Sequence, residues 1–304
     1  MRIAIIGSGA MGMLFGGYLS KDNEVVLLDT DRTKVDAINR EGIRIREPGG
    51  NIVSAGPKAA VSANGLGEMD LVIIFVKAMH TRNALADNRE LIGPHTFVIS
   101  LQNGSGHDAV MREFVAAERI VIGTTQHNSS MVEAGIVHHG GGGKTFIGSI
   151  RGEGKGLKAI EETFNRCGFD TEISDDIQRK IWEKLFINAS VSALTAVLQT
   201  KLGFLLESEH AWSLAEKLIK EAVAVANGDG MGFEEQKVIN DVHRLVEKAR
   251  DGYTSIYADI RDGRKTEVDA ISGAVVSAGK RNKVPAPSHE FMVGLIHAME
   301  DKRT

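Results

Sequence analysis

A strand-like run, Ile3-Ala4-Ile5-Ile6, leads directly into Gly7-Ser8-Gly9-Ala10-Met11-Gly12, and helical spacing begins there. Glycines at the first, third and sixth places suit a turn that receives a phosphate. The first permits the tight bend, the second lets the anion approach the backbone, and the third lets the helix pack while its N-terminal N–H groups face the charge. In this strand–turn–helix setting Gly7, Ser8, Gly9, Ala10, Met11 and Gly12 are expected to hold a dinucleotide. The next strand, Val25-Val26-Leu27-Leu28, ends at Asp29, twenty-two residues after Gly7, where a carboxylate can grip the adenosine ribose. Its charge favours NAD(H) over NADP(H), whose 2′-phosphate it would repel. Arg32 is near enough in sequence to offset that repulsion, so NADP(H) is disfavoured rather than excluded. A helix or turn cap is the other role open to Asp29.

Further polar groups fall where a doubly wound sheet places its ligands, at the carboxyl ends of strands. Lys77 follows Leu71-Val72-Ile73-Ile74-Phe75-Val76, Asn103 lies in SLQNG, and GTTQHN follows a later strand. Singly, each is better read as a solvated lysine or a turn asparagine than as a ligand. Lys184, Asn188 and Ser192 are four apart and share a helix face, flanked by Trp182, Leu185, Phe186 and Leu194. That stripe is either a cleft wall or a solvated face, and composition leaves both open. His138 and His139, followed by four glycines, point to opposite faces of a strand and are expected to lack a carboxylate nearby, so a mobile hairpin rather than a metal or phosphate site is expected. His127 is read as structural and Cys167 as a packing residue.

The elements needed to position these groups change character along the chain. The first part alternates short β-rich runs (Arg2–Ile6, Glu24–Leu28, Leu71–Val76, Thr96–Leu101) with helical segments from Met11 and Thr33, which predicts a parallel, doubly wound sheet, and Arg119–Gly123 reads as an additional strand. Gly135–His138 and Lys144–Ile147 read as a hairpin, and Lys155–Gly168 as a helix. From about Asp175 the segments IWEKLFINASVSALTAVL, HAWSLAEKLIKEAVAVA, EEQKVINDVHRLVEKA and TEVDAISGAVVSAGKR all show three-to-four spacing. The expectation is an α/β Rossmann-type doubly wound domain over 1–174 and an all-α domain over 175–304.

With 304 residues, 42% of them hydrophobic, the chain has material for two cores. Its 40 acidic and 36 basic side chains, net −4, form no long runs, which argues against nucleic acid or a membrane surface as partner and for small-molecule chemistry. One cysteine excludes an intrachain disulfide and a cysteine-built zinc cage, and no run reaches about 18 consecutive apolar residues, so a cytoplasmic protein is expected. The apolar helices of the second half leave a homodimer open.

The ordered set GSGAMG, FVKAMHT, SLQNG, GTTQHN, WEKLFINAS and TEVDAISG resembles the ketopantoate reductases (2-dehydropantoate 2-reductases) over nearly the whole chain. The resemblance implies a 6-phosphogluconate-dehydrogenase-like helical domain behind the nucleotide-binding one, with substrate in the cleft between them. It implies reduction of 2-dehydropantoate to pantoate by NAD(P)H, a step toward pantothenate and coenzyme A. Lys184 would be the catalytic acid. Asn103 would contact nicotinamide ribose and substrate, Lys77 would approach the cofactor, and Ser129 would sit near the nicotinamide. Asn188 and Ser255 would hold the substrate, a 2-oxo acid, while Glu267 would reach the nicotinamide end and steady Lys184. A lysine suits the task, because hydride delivered to a ketone carbon leaves charge on its oxygen that an ammonium can stabilise and protonate.

Some positions depart from the family pattern. Ser192 stands where a second asparagine is usual, an asparagine expected near Leu202 is missing, and Asp29-Thr30-Asp31-Arg32 occupies a place where this mostly NADP-dependent family carries arginine. Ser129 replaces a smaller residue. Reduction of a different 2-oxo acid and non-catalytic dinucleotide sensing are therefore the two rival readings.

Overall fold

The computed structural model describes residues 1–151 and 155–302. They form two compact units. The first comprises Met1–Gln102 and His107–Lys180, and the second Asn103–Gly106 together with the chain from Ile181 onward. Where the sequence suggested a division at 174 and 175, the helix Ile177–Ile187 contributes residues to both units, and the four-residue segment after Gln102 belongs to the second.

Among the described residues the first unit holds strands β1 (Arg2–Ile6), β2 (Glu24–Leu28), β3 (Ile43–Arg46), β4 (Ile52–Ala55), β5 (Lys58–Ala60), β6 (Leu71–Ile74), β7 (Phe97–Ser100), β8 (Ile120–Thr125), β9 (Asn128–Glu133), β10 (Ile136–Gly141), β11 (Thr145–Ser149) and β12 (Thr171–Ile173). Eight of them form one sheet in the order β12-β11-β8-β7-β6-β1-β2-β5, parallel throughout except where β11 runs antiparallel to β8. Strands such as Ile3-Ala4-Ile5-Ile6 and Leu71-Val72-Ile73-Ile74 are buried along their length, as parallel strands covered on both faces must be. Strand order reverses at β1, whose neighbours are β2 on one side and β6 on the other. The glycine turn after β1 therefore sits at the switch point, where such sheets bind ligands.

A second sheet, in the order β4-β3-β10-β9, corrects two expectations. β10 pairs with β9 and β3, whereas β11 joins the large sheet, so the segments around the four glycines are not a hairpin with each other. His138 is exposed and His139 buried, as alternation requires, yet a carboxylate does reach His139. Glu47 Oε2 lies 2.9 Å from its Nδ1, while its Nε2 lies 3.1 Å from His127 Nδ1. Tyr18, on the helix Ala10–Leu19, donates its hydroxyl to Glu47, and that carboxylate together with burial pushes the phenol's pKa up. The chain of polar groups ties the small sheet to the first helix. The Ile43-Arg44-Ile45-Arg46 alternation followed by Glu47-Pro48-Gly49-Gly50 was the available signal for this sheet, since Ile43 and Ile45 face inward and Gly50 turns at φ +83°.

Behind the helix Ala10–Leu19 an aromatic cluster closes the core: Phe15 stacks on Phe169 with ring centroids 4.0 Å apart, and Phe164 meets Phe15 edge-on at 5.9 Å. Cys167 is buried beside it.

The described residues of the second unit are helical. The helix Ile177–Ile187 passes into a π-helical stretch, Asn188–Ser192, and then Ala193–Leu198. Glu209–Gly228, Glu235–Lys248, Ser255–Arg261, Ser272–Asn282 and Pro287–Asp301 follow. Trp182, Phe186, Leu218, Val242 and Ile296 are among the residues of its core. By length and composition the run Ile177–Leu198 could cross a membrane, but 67% of its apolar window is buried inside the protein. The TEVDAI segment is a turn rather than helix, for the helix begins only at Ser272.

Phe169→Ala should cost about 3–5 kcal/mol of stability, the usual loss for truncating a buried phenylalanine. Urea unfolding of the variant would show it as a lowered midpoint.

Candidate active site

The glycine turn meets the physical requirements of a phosphate cradle, each glycine for its own reason. Gly7 adopts φ +105°, and a Cβ there would lie 2.8 Å from the backbone of Phe75 and Val76 at the end of β6. A Cβ on Gly12 would lie 1.9 Å from the Gly7 carbonyl oxygen. Beside Gly9 nothing lies within 4 Å of such an atom, which leaves open space where a pyrophosphate must approach. No side chain caps the helix that starts at Ala10, and its first intrahelical bond runs from Met13 N–H to Gly9 O. The N–H groups of Ala10, Met11 and Gly12 thus lack intrahelical acceptors and suit an anion.

Asp29 braces this turn. Its Oδ2 accepts the backbone N–H of fully buried Ser8 at 3.0 Å and the Ser8 hydroxyl at 2.7 Å, while Oδ1 accepts the N–H of Asp31 at 3.0 Å. Burial pushes the carboxyl's pKa up, but these bonds and the Lys34 ammonium, 3.6 Å away, outweigh it and hold the group below its ordinary range. The turn-cap role is therefore real for Asp29, whereas the helix cap falls to Asp31, which accepts Thr33 N–H. Lys34, not Arg32, is the cation found against Asp29, a contact that sequence spacing did not reveal.

Lys77 is half-buried and follows β6 immediately after the two residues against which Gly7 packs. Gln102, buried, donates to the Val76 carbonyl at 2.6 Å and to Thr81 Oγ1 at 2.9 Å, tying the end of β7 to the loop that carries Lys77. Ser129 is on β9 of the small sheet, with its hydroxyl donated to His138 O.

In the second unit Lys184 is half-buried in the last turn of Ile177–Ile187, on a helix whose Trp182, Leu185 and Phe186 enter the core. Desolvation lowers its pKa to about 8 and the Glu267 carboxylate opposes the fall. Asn188 opens the π-helical stretch and Ser192 closes it. A π turn carries more residues than an α turn, and Ser192 is the last residue of this stretch. It is buried, and its carbonyl accepts the hydroxyls of Thr195 and Thr254 at 3.1 and 3.3 Å. Ser190 and Thr195, both fully buried, return hydroxyls to the Phe186 and Val191 carbonyls, satisfying acceptors in the widened region.

Thr254 also caps the helix that begins at the exposed Ser255, linking that residue to the π-helical stretch. Glu267 sits on a turn whose carbonyl accepts the N–H groups of Ala270 and Ile271. Asn103 belongs to a segment packed on this same turn. Ser105 N–H donates to Ala270 O at 3.2 Å, and Gly104, at φ +100°, has room for no side chain because a Cβ would lie 2.0 Å from that oxygen. Lys184 and Glu267 thus interact, the Asn103 loop rests on the Glu267 turn, and Ser255 is joined to the helix that carries Lys184. Gln102, Thr254 and Lys34 are the supporting residues that motif reading left without a role.

A phosphate-cradling turn at the switch point, with a lysine–glutamate pair in a helical second unit, defines a dehydrogenase-type oxidoreductase. The family described as ketopantoate reductase PanE/ApbA matches residues 3–152, and its C-terminal counterpart matches residues 176–300. The chain belongs to the ketopantoate reductase family, and it is an enzyme rather than a nucleotide sensor. It is 30% identical to the 2-dehydropantoate 2-reductase of Halobacterium salinarum, covering 97% of this chain and 98% of the relative, and 32% identical to that of Lactococcus lactis, covering 99% and 98%. Among solved structures it is similar to D-mandelate dehydrogenase in ternary complex with NADH and anilino(oxo)acetate, at TM-score 0.93 and 31% identity over 100% of this chain and 99% of that one. A PanE/ApbA family ketopantoate reductase from Ralstonia eutropha gives 0.91 and 26%, with 100% and 99% covered.

Two alanine variants separate the roles of the glycines. Gly9→Ala should fold with an unchanged melting temperature and weaken nicotinamide dinucleotide binding by roughly tenfold or more, as overpacking of about 1–3 kcal/mol implies. Gly12→Ala should lose stability as well, because its methyl meets backbone. Calorimetric titration and thermal melts would read the two effects.

Proposed function

We propose that this enzyme reduces 2-dehydropantoate to pantoate and draws its hydride from NADH in preference to NADPH. The observation that carries the reading is the half-buried Lys184, held charged by Glu267, in a chain related end to end to proteins named 2-dehydropantoate 2-reductase. When bound, a reduced nicotinamide would supply the hydride for the C2 carbonyl carbon. Lys184 donates a hydrogen bond to the carbonyl oxygen, stabilises the charge that develops there and gives up its proton to complete the alcohol. Glu267 keeps that ammonium charged. Asn188, Ser255 and Asn103 would orient the substrate, Asn103 and Glu267 would also hold the nicotinamide end, and Lys77 would serve the cofactor. Ser129 has its hydroxyl on His138 O and offers backbone groups.

Support for NADH comes from Asp29, ionised by its own hydrogen bonds and unable to welcome a 2′-phosphate. NADH should therefore give the higher kcat/KM. Equal or better use of NADPH in a steady-state comparison would refute that half of the reading.

A second reading, reduction of 2-oxo acids with an aromatic substituent, is favoured by the likeness to an NADH-bound D-mandelate dehydrogenase. A substrate panel decides: kcat/KM far higher for an aryl 2-oxo acid than for ketopantoate would move the assignment to this reading.

Lys184→Ala should lower kcat by about two to four orders of magnitude, the range for loss of a general acid, with dinucleotide affinity nearly intact. Reduction needs the ammonium form, so the rate should be flat in the lower pH range and fall as pH rises through about 8. Removing the carboxylate that raises this pKa, as in Glu267→Gln, should bring the fall to lower pH. A pH–rate profile with the same alkaline limb in both proteins would count against the pairing.

A further inference from the structure

Nothing in the reaction chemistry calls for the final helix, Pro287–Asp301, yet its last turn grips the segment that carries Glu267. The Glu300 side chain is only 3% exposed. Its Oε1 accepts the Thr266 N–H at 2.8 Å, and the Thr266 hydroxyl bonds to it as well. Lys265 Nζ and His297 Nδ1 each lie 3.2 Å from Oε2, and Lys265 also pairs with Asp301 at 3.8 Å. These bonds outweigh the effect of burial and hold the Glu300 carboxyl down to about 2. The other ring nitrogen of His297, Nε2, lies 3.0 Å from Asp269 Oδ1. One carboxylate thus binds the residue before Glu267, and one imidazole joins that carboxylate to a residue just after it.

Both nitrogens of His297 face carboxylates. A neutral imidazole has one N–H and one lone pair, so only the imidazolium can donate in both directions. Asp269 and Glu300 accordingly raise its pKa. A group whose pKa is raised on folding contributes fully below its unfolded value and loses that contribution as pH climbs through the folded one.

We propose that Glu300 and His297 are positioning residues, which fix the turn of residues 265–271 so that the Glu267 carboxylate stays against Lys184. The inference rests on the reading of Lys184 as the proton donor. The same turn carries Ala270, the resting place of the Asn103 loop, so the clamp supports Glu267 and that loop at once.

The test is the pH profile of ketopantoate reduction by the full-length enzyme with NADH, for Glu300→Gln, His297→Gln, Glu267→Gln and each pairing with Glu267→Gln. Both clamp variants should move the alkaline limb to lower pH by up to about one unit, the low end of what an opposite charge supplies, and should lower kcat with little change in dinucleotide affinity. On a Glu267→Gln background neither should add a further shift, because the carboxylate they position is gone; residues acting through one another are non-additive. Folded clamp variants with a wild-type limb, or shifts that add in full to that of Glu267→Gln, would overturn the proposal. His297 is 40% exposed, so His297→Gln keeps the test open if Glu300→Gln fails to fold. Lys184→Ala losing turnover while the clamp variants keep a wild-type limb refutes the clamp alone. Wild-type turnover in Lys184→Ala refutes the functional reading and the clamp together.

Discussion

An ammonium ion with restricted access to water must be compensated or it gives up its proton, and the chemistry proposed for this enzyme depends on how Lys184 meets that constraint. Desolvation draws its pKa down toward neutrality and a single carboxylate opposes the fall. The balance is useful, since a proton donor works best when its pKa lies near the working pH. It also sets demands on the surrounding structure. A carboxylate on a turn compensates a lysine on a helix only if that turn is held, and the interactions around Thr266, Asp269, Ala270 and Ile271 hold it from several sides.

The π-helical stretch answers a related problem. Lys184 and Asn188 are half-buried, and Ser192, which ends the widened turn, is buried. Hydroxyls from Ser190, Thr195 and Thr254 meet the carbonyls of the stretch. Its distortion is thereby accommodated within the interior of the second unit.

Much of this was readable from residue types. The glycine spacing and the buried runs after it placed β1, β2, β6 and β7, because parallel strands covered on both faces leave an apolar signature. The three-to-four spacing of the second half foretold its helices. What escaped was structure made by long-range pairing of short segments. β3 and β4 have four residues each, and β10, besides its neighbour β9, pairs with β3 about ninety residues earlier, which no local pattern announces. The same holds for Lys34 against Asp29 and for Glu47 against His139. Such contacts depend on where elements dock rather than on what they contain. The TEVDAI turn misled for the opposite reason: its apolar spacing imitates a helix, while its N–H groups are taken up by Glu267 O and Glu300.

Asp29 gives two tasks to one carboxylate. The charge that would discriminate between cofactors also satisfies a buried hydroxyl and a backbone N–H of Ser8. Cofactor choice and integrity of the turn are therefore not independent traits. A lineage drifting toward NADPH by discarding Asp29 would inherit a buried serine in need of a new acceptor, and the first substitution would carry a folding penalty before any benefit in cofactor use. Such coupling makes the preference resistant to gradual change, and a redesign of the pocket has to alter Ser8 and Asp29 together.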